Sequence, residues 1–317
     1  MGIDCLSAGI LFADVACAPL DRLPNPGELQ PTGYIQLGLG GCAANVAVDL
    51  VKVGVKVGVS GCVGDDSFGE VVVRQLEASG ADTQGVHRIA GIGTASTMIV
   101  NVKGQDRRFI STPGANHRFT VEHIPADWVR QAKVFYVGGY LMLPKLETEA
   151  LVDLFRTARR SGVKTVLDVV LLGGEKHAQM LAQILPQTDV FLPNVDESLV
   201  ITGLSDPLRQ AEFFRAAGAK TVVITQGERG SLLVADNLRL RSGVYPTEVV
   251  GGAGSGDAFD AGYIVGLLDG EGPEGCLRWG SALGASCVRA IGTTESVFNR
   301  VEAEAFLREH TLAMEKF

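Results

Sequence analysis

Nothing in this chain of 317 residues resembles a membrane-crossing run: no uncharged segment approaches the roughly 20 residues a bilayer requires. The beginning lacks a basic stretch followed by a long apolar one, which argues against a secretory leader and leaves a cytoplasmic protein as the expectation. Basic residues are outnumbered, 28 Lys and Arg against 36 Asp and Glu, for a net charge of −8. That balance argues against a nucleic-acid or anionic-membrane surface, which needs clustered cations. The six cysteines, Cys5, Cys17, Cys42, Cys62, Cys276 and Cys287, show no paired metal-type spacing and read as reduced core residues. Internal repeats, low-complexity runs and polar linkers are also missing, so one domain over residues 1–317 is expected rather than two.

What is abundant is glycine. Forty residues, about one in eight, exceed the usual share of about 7% and imply many tight strand-to-helix turns. Apolar runs alternate with amphipathic segments from Val134 to Thr225, the pattern of a mainly parallel sheet covered on both faces. A first strand is expected over Met1–Ala13, closed by Asp14, and a hairpin over Thr94–Val102 and Asp106–Thr112. Ser231–Ala235 with Leu238–Arg241 forms a second hairpin, and Glu248–Val250 a short strand. The irregular segments 11–40 and 94–112 are expected to project as a lid.

The most informative stretch is Gly252-Ala253-Gly254-Ser255-Gly256-Asp257, which precedes a small-residue helix reaching Leu268. Spaced glycines let backbone N–H groups approach a ligand, and the positive end of the helix favours phosphate oxygens. An aspartate placed there fits proton transfer during phosphoryl transfer, with Asp257 as general base and Gly254, Ser255 and Gly256 as anion hole. The plainer reading is a tight helix-entry turn. A second cluster, Gly38-Leu39-Gly40-Gly41-Cys42-Ala43-Ala44-Asn45, partly satisfies a dinucleotide fingerprint, with Asp65 or Asp66 as ribose partner. Alternatively Gly40 and Gly41 form a platform under a polyhydroxylated ligand and Asn45 reads its hydroxyls. Asn194-Val195-Asp196-Glu197 has the spacing of a helix capping box. His117, Glu122 and His123 lack a third metal partner, and Arg107 and Arg108 read as solvated lid charges or a clamp for an anion.

Taken together, Gly40, Gly41 and Asn45, then Gly64-Asp65-Asp66-Ser67-Phe68-Gly69, then Gly254-Ser255-Gly256-Asp257 resemble the two signatures of the ribokinase, or PfkB, family of carbohydrate kinases, in order and spacing. The resemblance implies a three-layer α/β/α sandwich with a small β lid, and an ATP- and Mg²⁺-dependent kinase acting on a primary hydroxyl of a small unphosphorylated sugar or sugar acid. It places Asp14 on sugar hydroxyls, Asn194 and Glu197 near Mg²⁺, largely through water, Thr225 and Gly227 along the triphosphate, and Ser281 near the adenine. It further implies a homodimer formed through the lid. Gly251-Gly252-Ala253 departs from the family's Asp-Thr-Thr, which leaves K⁺ dependence open. Nucleosides and sugar phosphates are the other acceptors the family implies. A dinucleotide-dependent oxidoreductase and a non-catalytic sugar- or nucleotide-binding regulator are the competing classes.

Overall fold

The computed structural model describes residues 2–105, 108–171 and 176–317. Met1, Asp106 and Arg107, to which expectations were attached, lie outside them. Over the described residues ten strands form one sheet in the order β14-β13-β12-β11-β10-β9-β8-β1-β4-β5. The central strands are β1 (Cys5–Gly9), β4 (Val57–Gly64), β8 (Val134–Gly138), β9 (Lys164–Leu167), β10 (Val190–Phe191) and β11 (Thr221–Thr225), all parallel, with β5 (Asp82–Ile89) at one edge. Antiparallel strands β12 (Ser231–Ala235), β13 (Leu238–Ser242) and β14 (Met314–Lys316) extend the other edge.

Side chains alternate between two cores. In β8, Val134 and Tyr136 face the core shared with α1 (Cys42–Lys52), α2 (Ser67–Ser79), α8 (Ser255–Leu268), α9 (Pro273–Cys287) and α10 (Arg300–Glu309). Phe135 and Val137 face the core shared with α3 (Ala126–Gln131), α4 (Thr148–Arg160), α5 (His177–Ile184), α6 (Val195–Thr202) and α7 (Pro207–Ala216). Because both faces are covered, these strands read as continuous apolar runs, as the sequence implied. A second sheet runs β3-β2-β6-β7, built from β2 (Phe12–Cys17), β3 (Ile35–Gly40), β6 (Ser96–Val100) and β7 (Arg108–Thr112). It draws on both segments expected to project.

Three expectations need correction. The first strand stops at Gly9, where φ is +142° and an added Cβ would lie 2.1 Å from the Gly138 carbonyl oxygen. Only glycine fits that turn. Asp14 therefore sits inside β2, opposite Gly38, not at the end of β1. Glu248–Val250 is not a strand: the N–H groups of Val250 and Gly251 bond the Val288 carbonyl, and Val249 is 70% exposed. The dinucleotide reading also fails locally. Gly38 and Gly40 lie in an antiparallel strand of the small sheet, and both Asp66 oxygens are occupied by Thr94 and the N–H of Gly69.

Candidate active site

The carboxyl ends of the parallel strands converge where strand order reverses beside β1, the crevice where open α/β sheets bind ligands. Helix α8 begins there. Its first residue follows Gly254, held at φ +75° with an added Cβ only 2.2 Å from the Thr293 carbonyl oxygen. A side chain would push the turn off Thr293, so the small residue is a steric requirement. Ser255 spends its hydroxyl on the Gly252 carbonyl at 3.0 Å, and its N–H lies 3.4 Å from the same oxygen. Among the described residues no acceptor meets the N–H groups of Gly256 and Asp257. Those open donors, at the positive end of a 14-residue helix, form a place for an anion.

Asp257 is held from below. Asn45, 2% exposed in α1, donates Nδ2 to Asp257 Oδ2 at 2.7 Å. The Thr293 hydroxyl lies 3.0 Å from Asn45 Oδ1 and 3.1 Å from the Leu39 carbonyl, which orients the amide. Asn45, expected to read a ligand's hydroxyls, thus has one amide hydrogen engaged in fixing Asp257. Burial raises the Asp257 carboxyl, while Asn45 and the Cys42 thiol hold it down. Cys42 Sγ and oxygens of Asp168 and Asp257 all lie within 4.8 Å of one another.

Carboxylates crowd this end of the sheet. Asp168, just past β9, accepts the Gly139 N–H at 3.0 Å, and Asp260 accepts the Tyr136 hydroxyl at 3.1 Å. Burial pushes both far up, reinforced by Glu197 and Asp257 for Asp168, and by Asp168 and Asp257 for Asp260. Glu197 is raised to about 7 by burial, with Asp257 adding to it. Asp14 is raised to about 6 by burial and then by the Asp257 charge. Carboxyls raised by burial and by one another mark a surplus of hard, negatively charged oxygen donors, which suits a divalent cation such as Mg²⁺ better than a soft metal.

Two cavities flank the Gly252–Asp257 turn. One, of about 380 Å³, is lined by Asp14, Gln36, Gly38, Thr293 and Glu295, with Ala253 on its floor. The other, of about 530 Å³, brings together Thr225, Gly227, Gly252, Ser255, Gly256 and Ser281 under Tyr245 and Phe259. Gly40 lies under Asp14, and an added Cβ would fall 2.0 Å from Asp14 Oδ2. Gly41, at φ +92°, presses on the Ile10 carbonyl, where a Cβ would come within 2.5 Å. Asn194 and Glu197 close the capping box of α6: Asn194 Oδ1 accepts from the Asp196 and Glu197 N–H groups, and Glu197 Oε2 from that of Asn194. The cap and the site coincide, since Asn194 pairs with Thr225 across the strand ends. His123 is used locally, its Nδ1 accepting the Thr120 N–H, and Arg108 reaches Gln105 on an exposed edge.

Against known proteins, residues 3–299 match the model of the pfkB family of carbohydrate kinases. This chain belongs to that family. It is 28% identical over 293 residues to a ribokinase of Haemophilus influenzae, covering 90% of this chain and 92% of the relative. A 5-dehydro-2-deoxygluconokinase of Photobacterium profundum is 29% identical over 283 residues, covering 83% and 86%. Among solved structures, Arabidopsis thaliana ribokinase complexed with ribose and ATP superposes with a TM-score of 0.82 at 22% identity, over 97% of this chain and 99% of that one. A putative ribokinase II from E. coli in complex with ATP and Mg²⁺ gives 0.81 at 22% identity, over 97% and 100%. The chain is therefore a carbohydrate kinase with the ribokinase-like fold.

Sequence reasoning missed Asp168, Asp260, Cys42 and Thr293 as parts of this kinase's site. For Asp168 a signal existed: an aspartate directly after an apolar parallel strand stands at the carboxyl edge where such sheets bind ligands. Asp260 and Thr293 had none, because their roles come from partners far along the chain.

Proposed function

We propose that this kinase transfers the terminal phosphoryl group of ATP to a primary hydroxyl of a small neutral sugar. The observation that carries the reading is the pair of cavities on the Gly252–Asp257 turn, one lined by Ala253 and the other by Gly252, Ser255 and Gly256. The cavity with Thr225, Gly227 and Ser281 suits the nucleotide, and the one with Asp14 suits the acceptor, so the transferring group would cross the open N–H groups of Gly256 and Asp257. Asp257 takes the acceptor's proton as its oxygen bonds to phosphorus and the bond to the leaving ADP oxygen breaks. Gly254 fixes the turn, Gly256 and Asp257 donate to the charged oxygens, and Asn45 keeps the base aimed. Asp168, Glu197 and Asn194 would hold Mg²⁺, largely through water, and the ion would supply charge neutralisation between the phosphates.

Among the described residues the acceptor cavity is lined by no Lys, Arg or His, while Asp14 and Glu295 face it. A sugar phosphate or a gluconate-type acid would meet uncompensated repulsion there, so a ribose-like neutral polyol fits better than the acceptor named for the gluconokinase relative. Asp14, Gln36 and the Gly40–Gly41 backbone would read its hydroxyls.

The small sheet would act as the lid that excludes water. Its exposed Ile35, Met98 and Ile110, at 72%, 52% and 67%, would be covered by pairing with a second copy. Cys5, Cys42, Cys62 and Cys276 are buried thiols, and no described helix is long and apolar enough to cross a membrane, which supports our reading of a cytoplasmic enzyme. An ADP-release assay with Mg·ATP tests the whole reading against neutral sugars, sugar acids, nucleosides and sugar phosphates, with and without K⁺. Turnover is expected on a neutral sugar. A preference for a phosphorylated or acidic acceptor would overturn the substrate class, and silence across the panel the kinase reading of the site. Light scattering checks the dimer.

A further inference from the structure

The amino ends of β9, β10 and β11 form a third concave surface that the kinase reaction does not use. A cavity of about 460 Å³ is lined there by Arg156, Arg159, Arg160, Lys164 and Lys220, with Asp189 as its acidic member. Five cations around one carboxylate stand out on a chain of net charge −8.

The cations come from separate elements. Arg156, Arg159 and Arg160 share one face near the end of α4, by their i, i+3 and i+4 spacing. Lys164 opens β9, and Lys220 precedes β11. Asp189, its side chain 9% exposed, fixes two of them: Lys220 Nζ at 2.9 Å and Arg159 Nε at 3.5 Å. Arg159 is further pinned by the Pro186 carbonyl at 2.9 Å, while Arg156 pairs with Asp153. The side chains of Arg160 and Lys164 have no acidic partner among the described residues, although both border the cavity.

A structural explanation accounts for only part of this. Arginines in a helix's last turn offset its negative end, which covers Arg159 and Arg160. It gives no reason for Lys164 and Lys220 to converge on the same hollow from two strands, nor for Asp189 to hold Lys220 and Arg159 towards it. Arg160 and Lys164 stand beside the other cations with no acid of their own among the described residues, and a bound polyanion removes the cost of that repulsion.

We infer that this cleft is a binding site for a small phosphorylated anion carrying two or more phosphate groups. Arg159 and Lys220 supply a preorganised bed, and Arg160 and Lys164 supply the free donors that close on the ligand. A small ligand is favoured over a macromolecule because the surface is concave and the rest of the molecule is acidic. The same three strands lead to Asp168, Asn194 and Thr225, roughly 13–17 Å away at about 3.3 Å per residue, so the site lies at the opposite pole from the chemistry.

The test is calorimetric titration of the full chain with tripolyphosphate, with saturating ADP present to occupy the nucleotide cavity. Wild type is expected to bind under these conditions, more weakly as salt rises. The double variant Arg160→Glu, Lys164→Glu should bind at least about tenfold more weakly, with KM values for ATP and sugar unchanged and a melting temperature within about 2 °C, as expected for exposed positions. Arg160→Gln alone, a gentler change, should lose affinity in the same direction. Equal binding by wild type and variants, or binding abolished by ADP, overturns the proposal. So does tighter binding of a short oligonucleotide than of tripolyphosphate, which would give the surface to nucleic acid.

Discussion

On one side of the Gly252–Asp257 turn the wall is Asp14, Gln36 and Glu295, carried largely by the small sheet; on the other it is Tyr245, Phe259, Val249 and glycine, carried by α8, α9 and the loop before them. The first side offers acceptors for hydroxyl hydrogens. The second offers apolar surface and open backbone. On the function proposed above, the difference teaches how one helix start would serve two ligands: proton chemistry and hydroxyl reading would stay with acids on one face, and phosphate contact would be left to backbone N–H groups, which carry no charge to repel it.

The comparison breaks most sharply at Asp257, which ends the turn that the two cavities flank. Asp257→Asn should keep the fold and lower kcat by roughly 10²–10⁴, with little change in either KM. Steady-state rates check it, and wild-type turnover would remove Asp257 as base. Next, Gly40→Ala separates the sides. The new Cβ would fall 2.0 Å from Asp14 Oδ2, and because a carboxylate end swings more easily than backbone moves, Asp14 should turn away. The acceptor KM should then rise about tenfold, the worth of a lost charged hydrogen bond, with the nucleotide KM unaltered. Ser281→Phe is the mirror experiment. Filling the apolar cavity should raise the nucleotide KM by several-fold to about tenfold and spare the acceptor; a shift in both would show that the cavities are not independent.

The smallest effect concerns the shared acids. Asp14 and Glu197 are raised to about 6 and about 7, so the folded state holds protons that the unfolded chain releases near pH 4. Their contribution to stability is present below pH 4 and is lost as pH climbs through about 7. In EDTA the melting temperature should therefore fall by a few degrees from pH 5 to pH 8, and Mg²⁺ should restore more of it at pH 8 than at pH 5. Thermal melts at the two pH values decide this, and an equal Mg²⁺ effect at both would deny the acids a role in holding the ion.

Much of the site was legible because it is built from turns. Gly254-Ser255-Gly256-Asp257 announced a helix start with an acid in its first turn, and that is where Asp257 stands. The Asn194 to Glu197 box announced a cap, and the cap forms. Position in the fold was less legible. Nothing local told that Gly9 would turn the chain into a second sheet and carry Asp14 with it, since that depends on the Gly138 carbonyl beside it. Glu248–Val250 has the residues of a strand, but the Val288 carbonyl takes the N–H of Val250 and of Gly251 after it.

By itself the sequence determined the alternation of strands and helices, the glycine turns and the carbohydrate kinase family, because periodicity, positive-φ glycines and short motifs are properties of neighbouring residues. Tertiary structure alone decided that Asn45 would clasp Asp257 across 212 positions, that burial and neighbouring charge would push Asp168 and Asp260 up beside it, and that α4 and two strand starts would gather five cations at the far pole. Those outcomes rest on burial and on charges brought close from distant parts of the chain. Neither is a property of any local segment.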